Sequence, residues 1–84
     1  MSREEDLNRL QHMIEATQEI LDYVQGRDLS SLGVDRPLQH LIVHDLEILG
    51  EAASRLSLEF REGHPDIYWR DMIDLRNRLI HVYF

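Results

Sequence analysis

Apolar residues recur at steps of three and four along the first part of the chain, which is the spacing of one helix face. Ser2 followed by Glu5 forms a capping box that can start this helix. Gly26 is suited to end it, and residues 27–34 contain serines and a glycine typical of a loop. We therefore predict one long amphipathic helix and then a loop. The predicted apolar face consists of Leu7, Leu10, Ile14, Thr17, Leu21 and Val24.

A second long helix is predicted to begin at Asp35, with Pro37 in its first turn, and to end near Leu56. It contains a run of small residues that would let another helix approach closely, either within the fold or across a dimer interface. We favour packing within the core. The small residues are Gly50, Ala52 and Ala53, and the broad apolar face adds Leu38, Leu41, Ile42, Leu46, Leu49 and Leu56.

The remainder of the chain predicts a short helical turn and a last helix. Ser57 can cap a turn that runs through Phe60 and ends at residues 63–65, and Asp66 then opens the last helix. The sequence finishes at Phe84 without a polar tail, so we expect a further helix or a partner to cover this end. The predicted inward residues of the last helix are Trp69, Met72, Ile73, Leu79 and Ile80.

Composition narrows the class of protein. A chain of 84 residues has room for a single thin core, so we predict one all-α domain over residues 1–84. The absence of cysteine excludes disulfides and thiolate metal sites. The sequence contains no apolar run long enough for a membrane span or a signal peptide, so we expect a soluble, cytoplasmic protein. The net charge of −7 argues against a broad positive surface for nucleic acid, and any RNA contact must be local.

The densest chemistry lies near the C-terminus. Asn77 and His81 are four residues apart and share a helix face, and Arg76 lies about 140° around the helix from His81. An arginine is long enough to bridge that angle. A guanidinium, an amide and an imidazole provide a phosphate clamp, a positioning group and a proton carrier, which are the parts needed to break a phosphodiester without a metal. Spacing alone favours a different arrangement, a surface ion pair of Asp74 with Arg78 beside a partly buried histidine.

A second polar cluster lies on one face of the second predicted helix, and its spacing would suit Zn²⁺. Imidazoles and carboxylates at helical spacing more often form a solvated or ion-paired face, so no metal is predicted. The four residues are His40, His44, Glu47 and Glu51.

Three segments of the chain stand out in order: "LEILGEA" at residues 46–52, "HPDIYWRDM" at residues 64–72 and "RNRLIHVYF" at residues 76–84. Together they resemble the HepT-like toxins of the HEPN superfamily. The last segment is similar to the R-x4-6-H motif of that family, with Arg76 and His81 as the motif residues and Tyr83 as the tyrosine that follows.

The resemblance implies an antiparallel helical bundle that dimerises, with two motifs facing each other across a cleft. It implies a metal-independent endoribonuclease without a cofactor, in which Arg76, Asn77 and His81 are catalytic. It further implies the toxin of a type VII-like HEPN/MNT toxin–antitoxin system, whose nucleotidyltransferase antitoxin transfers AMP to Tyr83. Members usually continue into another helix beyond the motif, so a C-terminal helix is expected to be missing here. The competing interpretation is a non-catalytic helical module that binds another protein.

Overall fold

Three long helices form a single layer with the middle helix in contact with both others. The computed structural model describes residues 3–83, and these residues contain no strand. The helix of residues 36–55 packs against the first helix on one side and the last helix on the other. The five helices are α1 (Arg3–Val24), α2 (Leu29–Val34), α3 (Arg36–Arg55), α4 (Leu58–Glu62) and α5 (Trp69–Tyr83).

The long helices run antiparallel to their neighbours. The start of α1 meets the end of α3, where both carboxylate oxygens of Asp6 accept hydrogen bonds from Ser57, at 2.9 Å from N and 2.7 Å from Oγ. The start of α5 likewise packs on the end of α3, since Trp69 and Leu56 belong to one buried cluster. The described residues are thus all-helical and antiparallel, as predicted.

The predicted helix boundaries are largely confirmed by capping contacts. Gly26 has a positive φ of 73°, which suits the residue after a helix. Asp35 caps α3 by accepting from the amide of Leu38 at 3.1 Å. Ser57 caps α4 by accepting from the amide of Phe60 at 3.1 Å. Ser2 of the predicted capping box lies outside the described residues.

Two local predictions are wrong. Residues 29–34 form the short helix α2, because the side chain of Asp28 caps it by accepting from the amide of Ser31 at 2.8 Å. The last helix begins at Trp69 and not at Asp66, because residues 64–67 form a turn in which the amide of Ile67 donates to His64. The indole Nε1 of Trp69 donates to the carbonyl of His64 at 3.0 Å, which ties the turn to the helix start.

The core lies where α3 meets α1 and α5 near the end of α3. Its buried members are Met13, Ala52, Ala53, Leu56, Trp69 and Ile73.

The predicted apolar face of α1 is mostly exposed in the single chain. Leu7, Ile14 and Leu21 are 53%, 61% and 55% exposed. The residues that α1 buries against its neighbour include Met13 and Ala16. Because α1 packs mainly on α3, with Met13 reaching the buried cluster that contains Trp69, only a narrow strip of its surface is covered. We call the seven-residue repeat of Leu7, Ile14 and Leu21 the α1 apolar stripe.

Candidate functional site

Close contact between α3 and α5 fixes the position of Arg76. A Cβ atom on Gly50 would overlap the Cβ of Arg76 and lie 2.8 Å from the carbonyl oxygen of Met72. Only glycine fits at that point, so the prediction that the small residues serve core packing is confirmed for Gly50. The two helix backbones therefore come closest at the motif arginine itself.

Glu51 accepts hydrogen bonds from two arginines at once. Its Oε2 lies 2.8 Å from Nη1 of Arg76 on α5, and its Oε1 lies 2.7 Å from Nε of Arg55 on its own helix. Arg76 is well covered, with its side chain 20% exposed. The hydrogen bond from Arg55 and the charges of Arg76, Arg55 and Arg9 lower the pKa of Glu51, against the opposing effect of burial. Glu51 therefore stays ionised and holds the guanidinium of Arg76 in place.

Arg76 and Glu51 lie in an open depression of about 450 Å³ that crosses α3, which we call the polar cleft. Its cationic side chains come from all three long helices. Its residues are Arg9, His12, His44, Glu47, Ile48, Glu51, Ala52, Arg55, Arg76 and Ile80.

An apolar groove lies on the other side of the layer. Helical periodicity places Leu49 about 160° around α3 from Glu51, so the two depressions face in opposite directions. The groove is lined by Leu10, Met13, Ile14, Thr17, Gln18, Leu49, Ile67, Trp69 and Met72. The layer is thus polar on the face that carries Arg76 and apolar on the reverse.

Asn77 and His81 are exposed on α5, and neither lines the polar cleft. Among the described residues, no hydrogen bond or ion pair joins either of them to Arg76. The alternative pairing of Asp74 with Arg78 is not formed, because Asp74 lies 3.4 Å from Nε of Arg70. The motif imidazole is therefore accessible, and the motif guanidinium is anchored.

Tyr83 is the last residue of α5, and its side chain lies outside the described part of the structure.

Glutamates of the polar cluster on the second predicted helix, whose spacing would suit zinc, make other contacts in the structure. Glu51 is paired with Arg55 and Arg76, and Glu47 lies in the polar cleft. Within residues 3–83, no three histidine, aspartate or glutamate side chains are placed to share one metal ion.

Sequence reasoning missed two features of this face. Glu51 was grouped with possible metal ligands, although its i,i+4 spacing to Arg55 could have indicated an ion pair. Arg9 was not singled out, and nothing in its local sequence predicts that it reaches a cleft formed by α3 and α5.

A third missed feature is the carboxyl group of Asp45, which is 2% exposed. It faces Glu19 across the contact between α1 and α3, and its Oδ2 has no donor among the described residues. Burial, a hydrogen bond shared with Glu19 and the charge of Glu19 raise the pKa of Asp45 to about 6, against a lowering by His44. A buried aspartate cannot be recognised from periodicity, because it occupies a position that helix patterning assigns to apolar residues.

No helix within residues 3–83 combines the length and apolar character needed to cross a membrane.

Comparison with known proteins places this sequence in a family. The model of the family described as "Ribonuclease HepT-like" matches residues 13–84. A protein of Methanocaldococcus jannaschii named "Putative RNase" is 30% identical over 84 residues, which are 100% of this chain and 77% of that protein. A "Putative RNase" of Caldanaerobacter subterraneus is 35% identical over 89% of this chain and 67% of its own length.

A third relative, "Probable ribonuclease HepT" of Thermococcus cleftensis, is 33% identical over 89% of this chain and 68% of its own length. No solved structure matches the chain. The family match extends through α3 and α5 and includes the Gly50 contact, Glu51 and the residues from Arg76 to His81. The chain therefore belongs to the HepT-like family of the HEPN superfamily.

Proposed function

We propose that this protein is a metal-independent endoribonuclease and the toxin of a HEPN/MNT toxin–antitoxin system. The observation that carries the proposal is the placement of the motif on α5: Arg76 is anchored by Glu51 on the polar face, and Asn77 and His81 follow it exposed to solvent. The relatives that are named as ribonucleases support the substrate class.

In the proposed reaction, His81 accepts the proton of a ribose 2′-hydroxyl, and the 2′-oxygen attacks the adjacent phosphorus. The bond from phosphorus to the 5′-oxygen breaks, that oxygen takes up a proton, and the products end in a 2′,3′-cyclic phosphate and a 5′-hydroxyl. Arg76 holds the phosphate and offsets the charge that develops on it in the transition state. Asn77 orients His81 or the phosphate. The requirement for a 2′-hydroxyl restricts the reaction to RNA.

A homodimer would complete this site. Within one helix, Arg76 and His81 are separated by about 140° and about 7.5 Å along the axis, which is a loose arrangement for one phosphate. In a dimer with facing motifs, the partner's His81 would protonate the leaving oxygen while the first removes the 2′ proton. The exposed α1 apolar stripe supports dimerisation, because a small domain rarely leaves such a repeat uncovered.

The proposed control point is Tyr83, whose phenol would accept AMP from a partner nucleotidyltransferase. The adduct would bring bulk and negative charge two residues beyond His81. Its phosphate would compete with RNA for arginine contacts, so modification would stop cleavage without unfolding the protein.

The decisive experiment is cleavage of single-stranded RNA in EDTA by wild type and His81→Ala. We expect turnover by wild type with cyclic-phosphate ends, and a loss of at least about 10²-fold in His81→Ala, the usual contribution of general acid–base catalysis. The matched control is His40→Ala, which removes another exposed histidine, outside the polar cleft.

Two outcomes would contradict the proposal. Equal cleavage by His81→Ala would show that the activity belongs to another group or to a contaminant. Absence of cleavage by wild-type dimer in EDTA would favour the non-catalytic interaction module, in which the motif only docks another protein.

A further inference from the structure

Arginines from three helices converge on a single carboxylate in the polar cleft. Arg55 and Arg76 each donate to Glu51, and Arg9 on α1 is close enough to stabilise its charge. The cleft contains three arginines and two glutamates, so it is positive in a chain whose net charge is −7. A local excess of positive charge on an acidic protein is a surface suited to a specific anion rather than to nonspecific binding.

The donors of this cluster are only partly used. Arg9 is half-buried, and it forms no ion pair with any described carboxylate. The Nε groups of Arg9 and Arg76 are buried without a hydrogen-bond acceptor in the described structure. Guanidinium groups with unsatisfied buried donors are costly to hold without an anion nearby, and a phosphate in the cleft would offset their charge through the remaining Nη donors.

Glu51 occupies the position that such an anion would take. It is the common partner of Arg55 and Arg76, its side chain is 43% exposed, and it lies in the open part of the cleft. A phosphate entering from solvent can therefore reach the same guanidinium groups, and it competes with Glu51 for them.

We propose that Arg9, Arg55 and Arg76 form a phosphate-binding subsite for the backbone of single-stranded RNA, with Glu51 as the internal anion that the phosphate displaces. The subsite extends from α5 across α3 to α1, so it holds the RNA beyond the phosphate that is cut. Arg9 and Arg55 are binding residues in this arrangement and take no part in the chemical step. The inference rests on the proposed function only in taking RNA as the ligand.

The test measures binding of a 2′-O-methyl RNA oligonucleotide, which cannot be cleaved because its 2′-oxygens are blocked. Arg9→Ala should weaken binding by about 5- to 10-fold and reduce the slope of log K against log salt by about 0.7, the value for one lost phosphate contact on a single strand. Arg55→Ala should behave in the same way. The matched controls are Arg3→Ala on α1 and Arg36→Ala on α3, which remove the same charge outside the cleft.

Glu51→Gln distinguishes the subsite from a purely structural cluster. Glutamine can still accept from Arg55 and Arg76 but no longer competes as an anion, so binding should tighten by several-fold. Thermal unfolding followed by circular dichroism checks that each variant is folded, and Arg9→Gln serves as a milder second variant at Arg9.

Three results would overturn the inference. The first is that Arg9→Ala binds the oligonucleotide with the same affinity as Arg3→Ala, and the second is that Glu51→Gln binds it more weakly than wild type. The third is that inorganic phosphate competes equally with the oligonucleotide at equal phosphate concentration, since a free anion would then be the ligand. Failure of the proposed function is separate: a wild type that binds the oligonucleotide but never cleaves unmodified RNA would leave the subsite intact and refute the nuclease.

Discussion

Gly50 on α3 lies directly against the Cβ of Arg76 on α5, and it is the absence of a side chain there that allows the two helices to meet. The neighbouring residue on α3, Glu51, then reaches the guanidinium of Arg76 at 2.8 Å. The glycine sets the distance between the helices, and the carboxylate sets the direction of the arginine.

Gly50→Ala should separate α3 from α5. The added methyl group would meet both Arg76 and the carbonyl oxygen of Met72, so we expect a loss of about 1–3 kcal/mol in the free energy of unfolding, the usual cost of overpacking. Chemical denaturation gives this value. The control is Gly33→Ala in α2, where no atom lies within 4 Å of the new methyl group. Equal stability of the two variants would contradict the close contact.

Asp45→Asn should stabilise the protein at neutral and alkaline pH. The pKa of Asp45 is raised to about 6, so the folded protein binds this proton more tightly than the unfolded chain does. The corresponding stability is present below the ordinary pKa of 3.8 and is lost as the pH rises through about 6. Asparagine can donate to Glu19 without carrying charge, so we expect a gain of roughly 1–2 kcal/mol at about pH 8.

Other ionisable groups near Asp45 also affect the pH dependence of stability in that experiment. They are Glu19 and Tyr23 on α1 and His44 on its own helix, with His12 and Glu15 lining the adjacent depression. Glu19 and His44 have opposite effects on the pKa of Asp45. Asp22→Asn on the exposed side of α1 is the control, and a lower stability of Asp45→Asn than of wild type at about pH 8 would contradict the assignment.

Asp6→Ala should destabilise the junction of α1 with α4. It removes the acceptor for both the amide and the hydroxyl of Ser57, which hold the start of α1 to the cap of α4. These hydrogen bonds, with the hydroxyl first, lower the pKa of Asp6, so their contribution is present at neutral pH and is lost as the pH falls through that lowered value.

Thermal melts of Asp6→Ala at neutral pH should therefore show a midpoint several degrees below wild type, with the difference shrinking in strong acid. Glu4→Ala is the control, because it removes a charge from the same helix turn. If Asp6→Ala were as stable as Glu4→Ala, the contact between Asp6 and Ser57 would contribute little to stability.

Ile14→Glu should dissociate the proposed dimer. Ile14 is the centre of the α1 apolar stripe and is 61% exposed in the single chain, so the substitution should cost little in folding but place a charge in the interface. Light scattering should show a dimer for wild type and a monomer for the variant. Asn8→Glu adds the same charge on another side of α1 and should remain dimeric. A wild-type monomer at micromolar concentration would contradict the shared site.

Tyr83→Phe should abolish AMP transfer while leaving RNA cleavage intact. Mass spectrometry after incubation with ATP and the partner nucleotidyltransferase should show adenylyl groups on wild type that map to Tyr83. Tyr68→Phe is the control, because Tyr68 is 75% exposed and lies immediately before the start of the same helix. An adduct at another residue, or a modified protein that still cleaves RNA, would refute this form of regulation.

The features that depend on near neighbours in the chain could be predicted from the order of residues. Caps at Asp35 and Ser57 and the stop at Gly26 satisfy or end the backbone hydrogen bonds of their own helices, so they could be read locally. The motif from Arg76 to His81 identified the family in the same way. The start of the last helix could not be read, because the turn at residues 64–67 depends on where Trp69 packs.

Which helix faces are covered and which charges meet depends on how the helices pack against one another. Periodicity defines a face relative to the axis of its own helix but does not identify the neighbour that covers it, so it could not show that Leu7, Ile14 and Leu21 are exposed in the single chain. The pairing of Glu51 with Arg76 joins residues 25 apart in the chain. It requires a specific rotation and a close approach of α3 and α5, and both are set by packing at Gly50 rather than by any local preference.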